Sequence, residues 1–220
     1  MISPGDTLEN PVTGEVLVFH RTSAQSHGES VLVETIVRPK GFVAAAHVHP
    51  HQTERFEVLS GTLGLRVGDR EFLARPRATA VVEPGTPHKF WNAGDQDARF
   101  LCEVRPALDF ESLIETMFSL AADGRTNKKG MPNPLQLAVI AQAHFDTVRL
   151  PFPAAWLQRT ALAVGAPLGR MLGYQATASR RPADMRPHSG PTCTPGQAAR
   201  SRAVPPTVSV TSMLPRVARE

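Results

Sequence analysis

Two histidines and a glutamate stand close together in the chain, at a spacing that suits the binding of one metal ion. Residues 43–49 are predicted to form a strand, and side chains two apart on a strand point to the same face, so His47 and His49 project together. Pro50 ends this strand, because proline has no N–H for a ladder. The chain then returns as a second strand, where Glu54 shares the inward face with apolar side chains. A bare carboxylate would be costly to bury there, and a bound cation removes that cost.

A third histidine, His88, begins a short strand further along the chain. Phe90 and Asn92 have the same parity as His88, so all three are expected to face inward together. Three imidazoles and one carboxylate suit a borderline divalent metal such as Fe, Mn, Ni, Cu or Zn, rather than Ca or Mg. The residue types therefore predict a transition-metal site.

The first of these groups has the spacing of a known motif. The pattern Gly41-x5-His47-x-His49-x4-Glu54-x6-Gly61 is similar to the first motif of the cupin family, with every spacing matched. Gly61 fits the turn into the following strand, where a positive φ is easiest for glycine.

A second stretch, Gly85-x2-His88-x3-Asn92, resembles the second cupin motif with two departures. Arg77 stands where that motif usually has glycine, and Glu83 stands where it usually has proline. Neither position supplies a metal ligand, so the departures concern the shape of the loop more than the metal.

The resemblance covers roughly residues 10–106 and implies a small jelly-roll barrel. It implies that the metal is held by His47, His49, Glu54 and His88, and it allows Glu54 to leave the metal and act as a catalytic base. The fold carries many chemistries as well as non-catalytic binding, so the resemblance by itself does not choose a reaction.

The segments around the motifs alternate in polarity, as half-buried antiparallel strands do. Residues 1–14 are rich in turn-forming residues, and glycine-containing turns separate the later segments. Strands are predicted at about 15–22, 30–38, 43–49, 54–60, 62–67, 70–75, 78–83, 88–92 and 97–105.

After the last strand the apolar residues repeat with the period of helices. A first helix is predicted to follow Asp109 as N-cap and to end before Gly124. A second is predicted to begin at Asn133 as N-cap, with Gln136 completing a capping box.

A third helix opens after Pro153, with one apolar side formed by Leu157, Ala161, Val164 and Leu168. All three helices are amphipathic, so they need a partner. The outer wall of the barrel, its open end or a second subunit could serve, which makes a homodimer one of the expected arrangements.

Residues 176–220 show no period of either kind and are rich in proline, serine and arginine, so we predict a disordered tail. Seven arginines against two acidic residues give this segment a net charge of +5, whereas the whole chain carries +4. Residues 1–175 therefore sum to about −1, which does not support a basic nucleic-acid-binding face. No apolar run reaches the length of a membrane span, and the first residues lack the features of a signal peptide, so a cytoplasmic protein is expected.

The sequence thus predicts a mainly β chain in three parts. A jelly-roll barrel is expected over residues 1–106, a helical extension over 107–175 and the disordered tail over 176–220.

A few other residues have two interpretations. His51 is predicted to be exposed or to lie behind the ligands, because a proline separates it from the strand. Asn92 either hydrogen-bonds a water or a ligand imidazole, or satisfies the end of its strand. His144 lies on an apolar helical face and is expected to be a core residue rather than a ligand. Three aromatic residues are candidate pocket walls, although plain barrel packing is favoured: Phe56, Phe90 and Phe100.

The leading functional hypothesis is a metal-dependent enzyme that acts on a small organic molecule, with dioxygenase-type oxidoreduction as the expected chemistry. Fe or Mn is favoured, with Ni, Cu or Zn as alternatives, and the metal would act as a Lewis acid on a substrate enolate or hydroxyl while O2 or water reacts. Few polar groups besides the ligands face inward, which indicates an apolar or aromatic substrate. The alternative is a non-catalytic cupin that binds or senses a small ligand. Neither nucleic acid nor a membrane is expected as a partner.

Overall fold

The computed structural model describes residues 2–177, so residues 178–220, which make up most of the predicted tail, lie outside the described part. The described chain contains nine strands followed by three helices, so the strands precede the helices as predicted. They are β1 (Thr7–Asn10), β2 (Glu15–Arg21), β3 (Val31–Val37), β4 (Thr53–Ser60), β5 (Leu63–Val67), β6 (Arg70–Ala74), β7 (Thr79–Val82), β8 (His88–Asn92), β9 (Ala98–Arg105), α1 (Phe110–Ala122), α2 (Pro134–Ala143) and α3 (Ala155–Met171).

The strands form two antiparallel sheets. The larger has the order β1-β2-β3-β9-β4-β7, and the smaller has the order β6-β5-β8. The last strand therefore inserts between the third and the fourth, which needs the long crossover connections of a jelly roll. The predicted mainly β jelly-roll architecture is confirmed.

Alternation of side chains puts one face of each sheet into the core. On β3 every second residue from Val31 to Val37 is buried, and β9 repeats this pattern from Ala98 to Val104. Phe100, at the centre of β9, is fully buried, and burial of a side chain of this size stabilises the fold by about 2–3 kcal/mol.

The strand β1 lies in the turn-rich segment 1–14, where no strand was predicted. The side chain of Asn10 explains how the chain reverses there, because its Oδ1 accepts hydrogen bonds from the backbone N–H groups of Val12 and Thr13. Gly14 completes the turn with a φ of 74°. A turn-rich segment thus adds an edge strand to β2.

The predicted strand over residues 43–49 is wrong as a continuous element. The segment makes isolated bridges instead, which pair Phe42 with Trp91 and His47 with His88, both on the β8 side, and Val48 with Arg149 on the other side. The chain bends at Ala44 and Ala45, between these bridges, which interrupts a regular ladder. The consequence is that this segment links the barrel to the chain that follows α2.

The first two helices begin and end largely as predicted, although the side chain of Asp109 makes no capping hydrogen bond to α1. Gly124 follows α1 with a φ of 68°, and the Oδ1 atom of Asn133 caps α2 by accepting from the N–H groups of Leu135 and Gln136. The predicted capping box is wrong, because the Gln136 amide donates to the carbonyl oxygen of Gln175 at 2.7 Å instead. A tertiary partner therefore replaces the local one.

The third helix packs on α2 through small residues, Ala166 and Gly169. A Cβ atom on Gly169 would lie 2.6 Å from Val139 and 2.7 Å from the carbonyl oxygen of Leu135, so the close approach requires glycine. The predicted apolar side of α3 faces away from this contact, and Val164 on it is 72% exposed. No helix within residues 2–177 is long and apolar enough to cross a bilayer.

Candidate metal centre

Four side chains from three parts of the barrel meet at one end of its interior. His47 and His88 lie opposite each other, because each donates its backbone N–H to the other's carbonyl oxygen, at 3.0 and 2.9 Å. His49 follows two residues after His47, and Glu54 is the second residue of β4. The structure therefore brings together all four residues that the resemblance implied as ligands.

The side-chain atoms of this cluster converge. One ligand atom from each of the four residues lies within 4.8 Å of every other. Nε2 of His88 lies 2.6 Å from one carboxylate oxygen of Glu54, and Nε2 of His49 lies 3.5 Å from the other. Three of these buried atoms have no hydrogen-bond partner outside the cluster in the described part of the chain: Nε2 of His49, Nε2 of His88 and Oε2 of Glu54.

A carbonyl oxygen stands behind each imidazole. Nδ1 of His47 donates to the carbonyl oxygen of Ala45 at 2.9 Å, and Nδ1 of His88 donates to that of Thr86 at 3.0 Å. These bonds place the ring proton on Nδ1, so the lone pair on Nε2 points into the cluster.

The third imidazole has two acceptors. Nδ1 of His49 donates to the carbonyl oxygen of Thr147 at 2.6 Å and to Oε1 of Gln52 at 2.9 Å. The Gln52 amide in turn donates to the carbonyl oxygens of Pro106 and Ala107, which fixes its orientation. The donor set therefore fits a divalent transition metal: three Nε2 lone pairs and a carboxylate, each supported from behind.

The electrostatics of the cluster favour an ionised carboxylate. Burial raises the pKa of Glu54, but the attraction of His49 and His88 outweighs burial and holds this pKa well below its usual range. Burial also lowers the pKa of His88, yet Glu54 more than offsets this and raises it. Burial, with His88 and His49 nearby, lowers the pKa of His47 to about 3, so this imidazole is neutral. A bound cation would take the place of the proton that otherwise balances Glu54.

A model of the cupin domain matches residues 33–104, which contain all four side chains. Residues 33–104 of the chain therefore form a cupin domain.

Two curated relatives of this cupin are named oxidoreductases. An oxidoreductase of Arthrobotrys oligospora is 31% identical over 91 residues, which are 41% of this chain and 34% of that protein. The oxidoreductase OpS7 of Beauveria bassiana is 39% identical over 59 residues, which are 24% of this chain and 19% of that protein. The matched segments thus span about a third and a fifth of these relatives.

Solved structures with a similar barrel carry several names. A predicted oxalate decarboxylase of Thermotoga maritima is 16% identical, with a TM-score of 0.40, over 42% of this chain and 80% of that one. The polyketide cyclase RemF of Streptomyces resistomycificus is 24% identical, with a TM-score of 0.39, over 48% of this chain and 70% of that one.

The cluster of candidate metal ligands opens onto a cavity of about 1060 Å³ between the cupin barrel and the helices. Leu17, Val33 and Phe100 line it from the barrel, whereas Leu113 and Met117 line it from α1. The helices therefore close over the open end of the barrel, which is one of the three placements that the sequence left open. A ligand in this cavity would meet mainly apolar walls.

The remaining candidate residues of the cupin barrel have separate outcomes. His51 is exposed and lies outside the cluster. Asn92 satisfies the end of its strand, because its amide donates to the carbonyl oxygens of Val37 and Gln96. Phe90 and Phe100 line the cavity, whereas the buried Phe56 packs behind them. His144 is buried and is itself a member of neither the cluster nor the cavity lining.

The two departures from the second cupin motif lie on the surface. Arg77 adopts a φ of 75°, the conformation that glycine accepts without strain at this position of the motif. Glu83 is exposed, and its carbonyl oxygen accepts from the N–H of Thr86 in the turn before His88. The turn therefore forms without the usual glycine and proline.

Three functional groups of this cupin were missed by the sequence analysis. The carbonyl oxygen of Thr147 comes from the chain after α2, and no local signal could have placed it. Gln52 stands between His49 and Glu54, and its amide at that spacing was a usable signal. Glu15, another buried carboxyl group in the cavity wall, has the same inward parity as Leu17, so strand alternation could have found it.

Proposed function

We propose that this cupin is a metal-dependent oxidoreductase that acts on a small, largely apolar organic molecule, with dioxygenase-type chemistry. The observation that carries the proposal is the arrangement behind the histidines. Each Nδ1 donates to a carbonyl oxygen, so three Nε2 atoms and the Glu54 carboxylate face one point at the wall of an apolar cavity. The two curated relatives named oxidoreductases support the same class of chemistry.

A divalent transition metal held by His47, His49, Glu54 and His88 would supply Lewis-acid and redox chemistry at this point. Fe or Mn is the proposed metal. The chain's own residues supply three further functions: they fix the imidazole tautomers, exclude water and accept a proton.

Exclusion of water follows from the walls of the cavity. Phe90, Phe100 and side chains of α1 line the cavity onto which the cluster opens, so a bound apolar molecule would displace solvent from the cavity. A low-dielectric surrounding strengthens the interactions between charges and dipoles inside the site.

Glu54 is the proposed proton acceptor. Its carboxylate is ionised because its pKa is held low, and among residues 2–177 Oε2 has no hydrogen-bond partner outside the cluster. A substrate hydroxyl placed at the cluster could therefore donate its proton to Oε2. The nearby Cys102 thiol does not compete for this role, because burial and then the neighbouring Glu54 carboxylate raise its pKa well above the usual value.

Metal content tests the proposal first. Protein purified without added metal should contain Fe or Mn at about one ion per chain by elemental analysis. Anaerobic protein loaded with Fe(II) should bind nitric oxide, an analogue of O2, and give the paramagnetic signal of an iron nitrosyl. His49→Ala and His88→Ala should lose most of the metal and this signal, whereas the exposed His51→Ala should retain both. Zinc at full occupancy in protein whose Fe(II) form does not bind nitric oxide would contradict oxygen chemistry and favour a hydrolytic or structural metal.

A further inference from the structure

The cavity contains a second buried carboxyl group, far from the metal cluster along the sheet. Glu15, at the start of β2, is 5% exposed and lines the cavity. Across the sheet, Glu15 pairs with Val37 of β3, and Val37 pairs with Ala98 of β9. Glu54 of β4 also pairs with a residue of β9, which is Val104. Ala98 and Val104 are 104 − 98 = 6 residues apart, so Glu15 lies at the other end of the sheet from Glu54. It is therefore separate from the proposed ligand set.

The Glu15 carboxyl group is only partly satisfied by the protein. The hydroxyl of Thr13 donates to Oε2 at 2.7 Å, and this is the one hydrogen bond that the group receives within the described residues. A carboxyl group has about four acceptor sites, so most of its capacity remains unused.

The surroundings of Glu15 carry no compensating charge. Its neighbours on the paired strands are Asn10 and Val37, and no ionisable side chain of the described residues shifts its titration. Burial raises the pKa of Glu15 to about 7, and the hydrogen bond from Thr13 offsets this only in part. The group therefore exists in both protonation states near neutral pH.

We propose that Glu15, held by Thr13, forms a second polar subsite of the cavity, which binds a hydroxyl group of an otherwise apolar or aromatic ligand. Leu17, Val33 and Phe100 line the cavity along the sheet that joins this subsite to the metal cluster.

A hydroxyl group fits this subsite better than an ion does. It can donate to the ionised carboxylate and accept from the protonated carboxyl, so it is satisfied in either state. An ammonium group would be satisfied only by the ionised state, and a ligand carboxylate only by the protonated one. The proposal that this ligand is also the substrate of the metal centre rests on the proposed function. The proposal that a hydroxyl group binds at Glu15 does not.

Two matched probes test the subsite: 2-naphthol and 2-methylnaphthalene, which carry a hydroxyl group and a methyl group, respectively, at the same ring position. Dissociation constants should be measured with metal-loaded protein and with EDTA-treated protein. The wild type should bind 2-naphthol about tenfold more tightly in both forms, because a satisfied hydroxyl group is worth about this factor. Glu15→Leu should remove the preference, and Glu9→Leu, on the exposed face of the same hairpin, should keep it.

Three outcomes would overturn the subsite. They are equal binding of both probes by the wild type, a preference that survives in Glu15→Leu, and a preference that disappears with EDTA, which would place the hydroxyl group at the metal. Loss of oxidoreductase chemistry alone would leave the Glu15-dependent preference intact, so failure of the proposed function is distinguishable.

Glu15→Gln provides a test that does not depend on how the leucine variant folds, because glutamine keeps an acceptor for Thr13. The wild-type preference for 2-naphthol should increase between pH 6 and pH 8, at about the titration of Glu15, since the ionised carboxylate is the stronger acceptor. The glutamine variant should show a preference that is constant with pH. A wild-type preference that does not change with pH would count against binding at Glu15, as would an unchanged pH dependence in the variant.

Discussion

At the scale of single residues, the carbonyl oxygens behind His47, His49 and His88 decide what the cluster can do. An imidazole that is free to rotate or change tautomer offers either nitrogen, whereas one whose Nδ1–H is held offers Nε2 alone. All three rings are held in this way, one of them by Thr147. The candidate metal site is thus oriented by backbone carbonyl groups, which a motif of side chains does not show.

The buried Glu15 should make stability depend on pH. Its pKa is about 7 in the folded protein against a usual 4.5, so folding takes up a proton between these values. The stabilisation by Glu15 is therefore lost as the pH rises through this window. Glu15→Gln cannot ionise, so its stability relative to the wild type should increase from pH 5 to pH 8 by on the order of 3 kcal/mol.

Urea unfolding at several pH values measures this difference. Glu103→Gln is the matched control, because hydrogen bonds from Arg105 and Arg21 lower the pKa of Glu103 and its contribution is already complete above pH 5. The stability difference for that variant should be the same at pH 5 and pH 8. A constant difference for Glu15→Gln as well would show that Glu15 is not buried as a neutral acid.

Arg77 stores backbone strain in the turn before β7. Its φ of 75° costs a non-glycine residue about 1–2 kcal/mol, whereas a glycine there would add about 0.4–1 kcal/mol of freedom to the unfolded chain. Arg77→Gly should therefore stabilise the protein by roughly 0.5 kcal/mol in thermal or urea unfolding. Arg75→Gly, in the same exposed turn but without a positive φ, should instead destabilise it by about 0.5–1 kcal/mol. Equal losses in both variants would mean that Arg77 is not strained.

At the scale of elements, α1 and α2 act as the cover of the barrel. Phe110 and Phe118 of α1 belong to the barrel core, and Leu113 and Leu120 pack against Ile140 of α2. The chain after α2 then reaches the metal cluster through the carbonyl oxygen of Thr147. This hydrogen bond therefore connects the helical cover to His49, one of the four candidate metal ligands.

A charge placed under this cover should be costly. Leu113 is 7% exposed, so Leu113→Asp should destabilise the protein by several kcal/mol, as expected for an unpaired buried charge. Val164→Asp on the exposed side of α3 is the control and should change the free energy of unfolding by less than about 0.5 kcal/mol. Unchanged stability of the Leu113 variant would show that α1 is not seated on the barrel.

At the scale of the whole molecule, the barrel supplies the four candidate metal ligands and the helices complete the cavity. Neither part encloses the cavity alone, since its walls come from Phe90 and Phe100 of the barrel and from Leu113, Met117 and Leu137 of the helices. The division at residues 106 and 107 into a barrel domain and a helical extension stays a prediction.

The C-terminal segment should contribute little to stability. Residues 178–220 have the proline- and arginine-rich composition of chains that do not form a packed core, so their removal should shift the thermal midpoint by no more than about one or two degrees. A chain that ends at Thr177 keeps Gln175, whose carbonyl oxygen accepts from Gln136. A large loss of stability after this truncation would show that the segment packs on the protein.

Local spacing determined much of the site. The alternation of side chains along strands put Glu54 inward, and the cupin spacing grouped it with His47, His49 and His88, because parity and motif spacing depend only on neighbours in the chain. Asn133 as a helix cap followed from the sequence for the same reason. The inward parity of Glu15 was present in the sequence too, but parity alone does not show whether a carboxyl group meets a metal, a cation or an empty cavity.

Only the tertiary structure decided which partners these residues meet. Residues 43–49 pair with β8 on one side and with Arg149 on the other, which replaces the predicted strand by isolated bridges. The side chain of Gln136 donates to the carbonyl oxygen of Gln175 instead of forming the predicted capping box. Helix α3 contacts α2 through Ala166 and Gly169 and not through its predicted apolar side. In each case the sequence offers several possible partners of the same chemical type, and the folded structure brings only one of them within contact distance. The sequence determined which chemical groups were available, and the fold decided which of them lie within bonding distance.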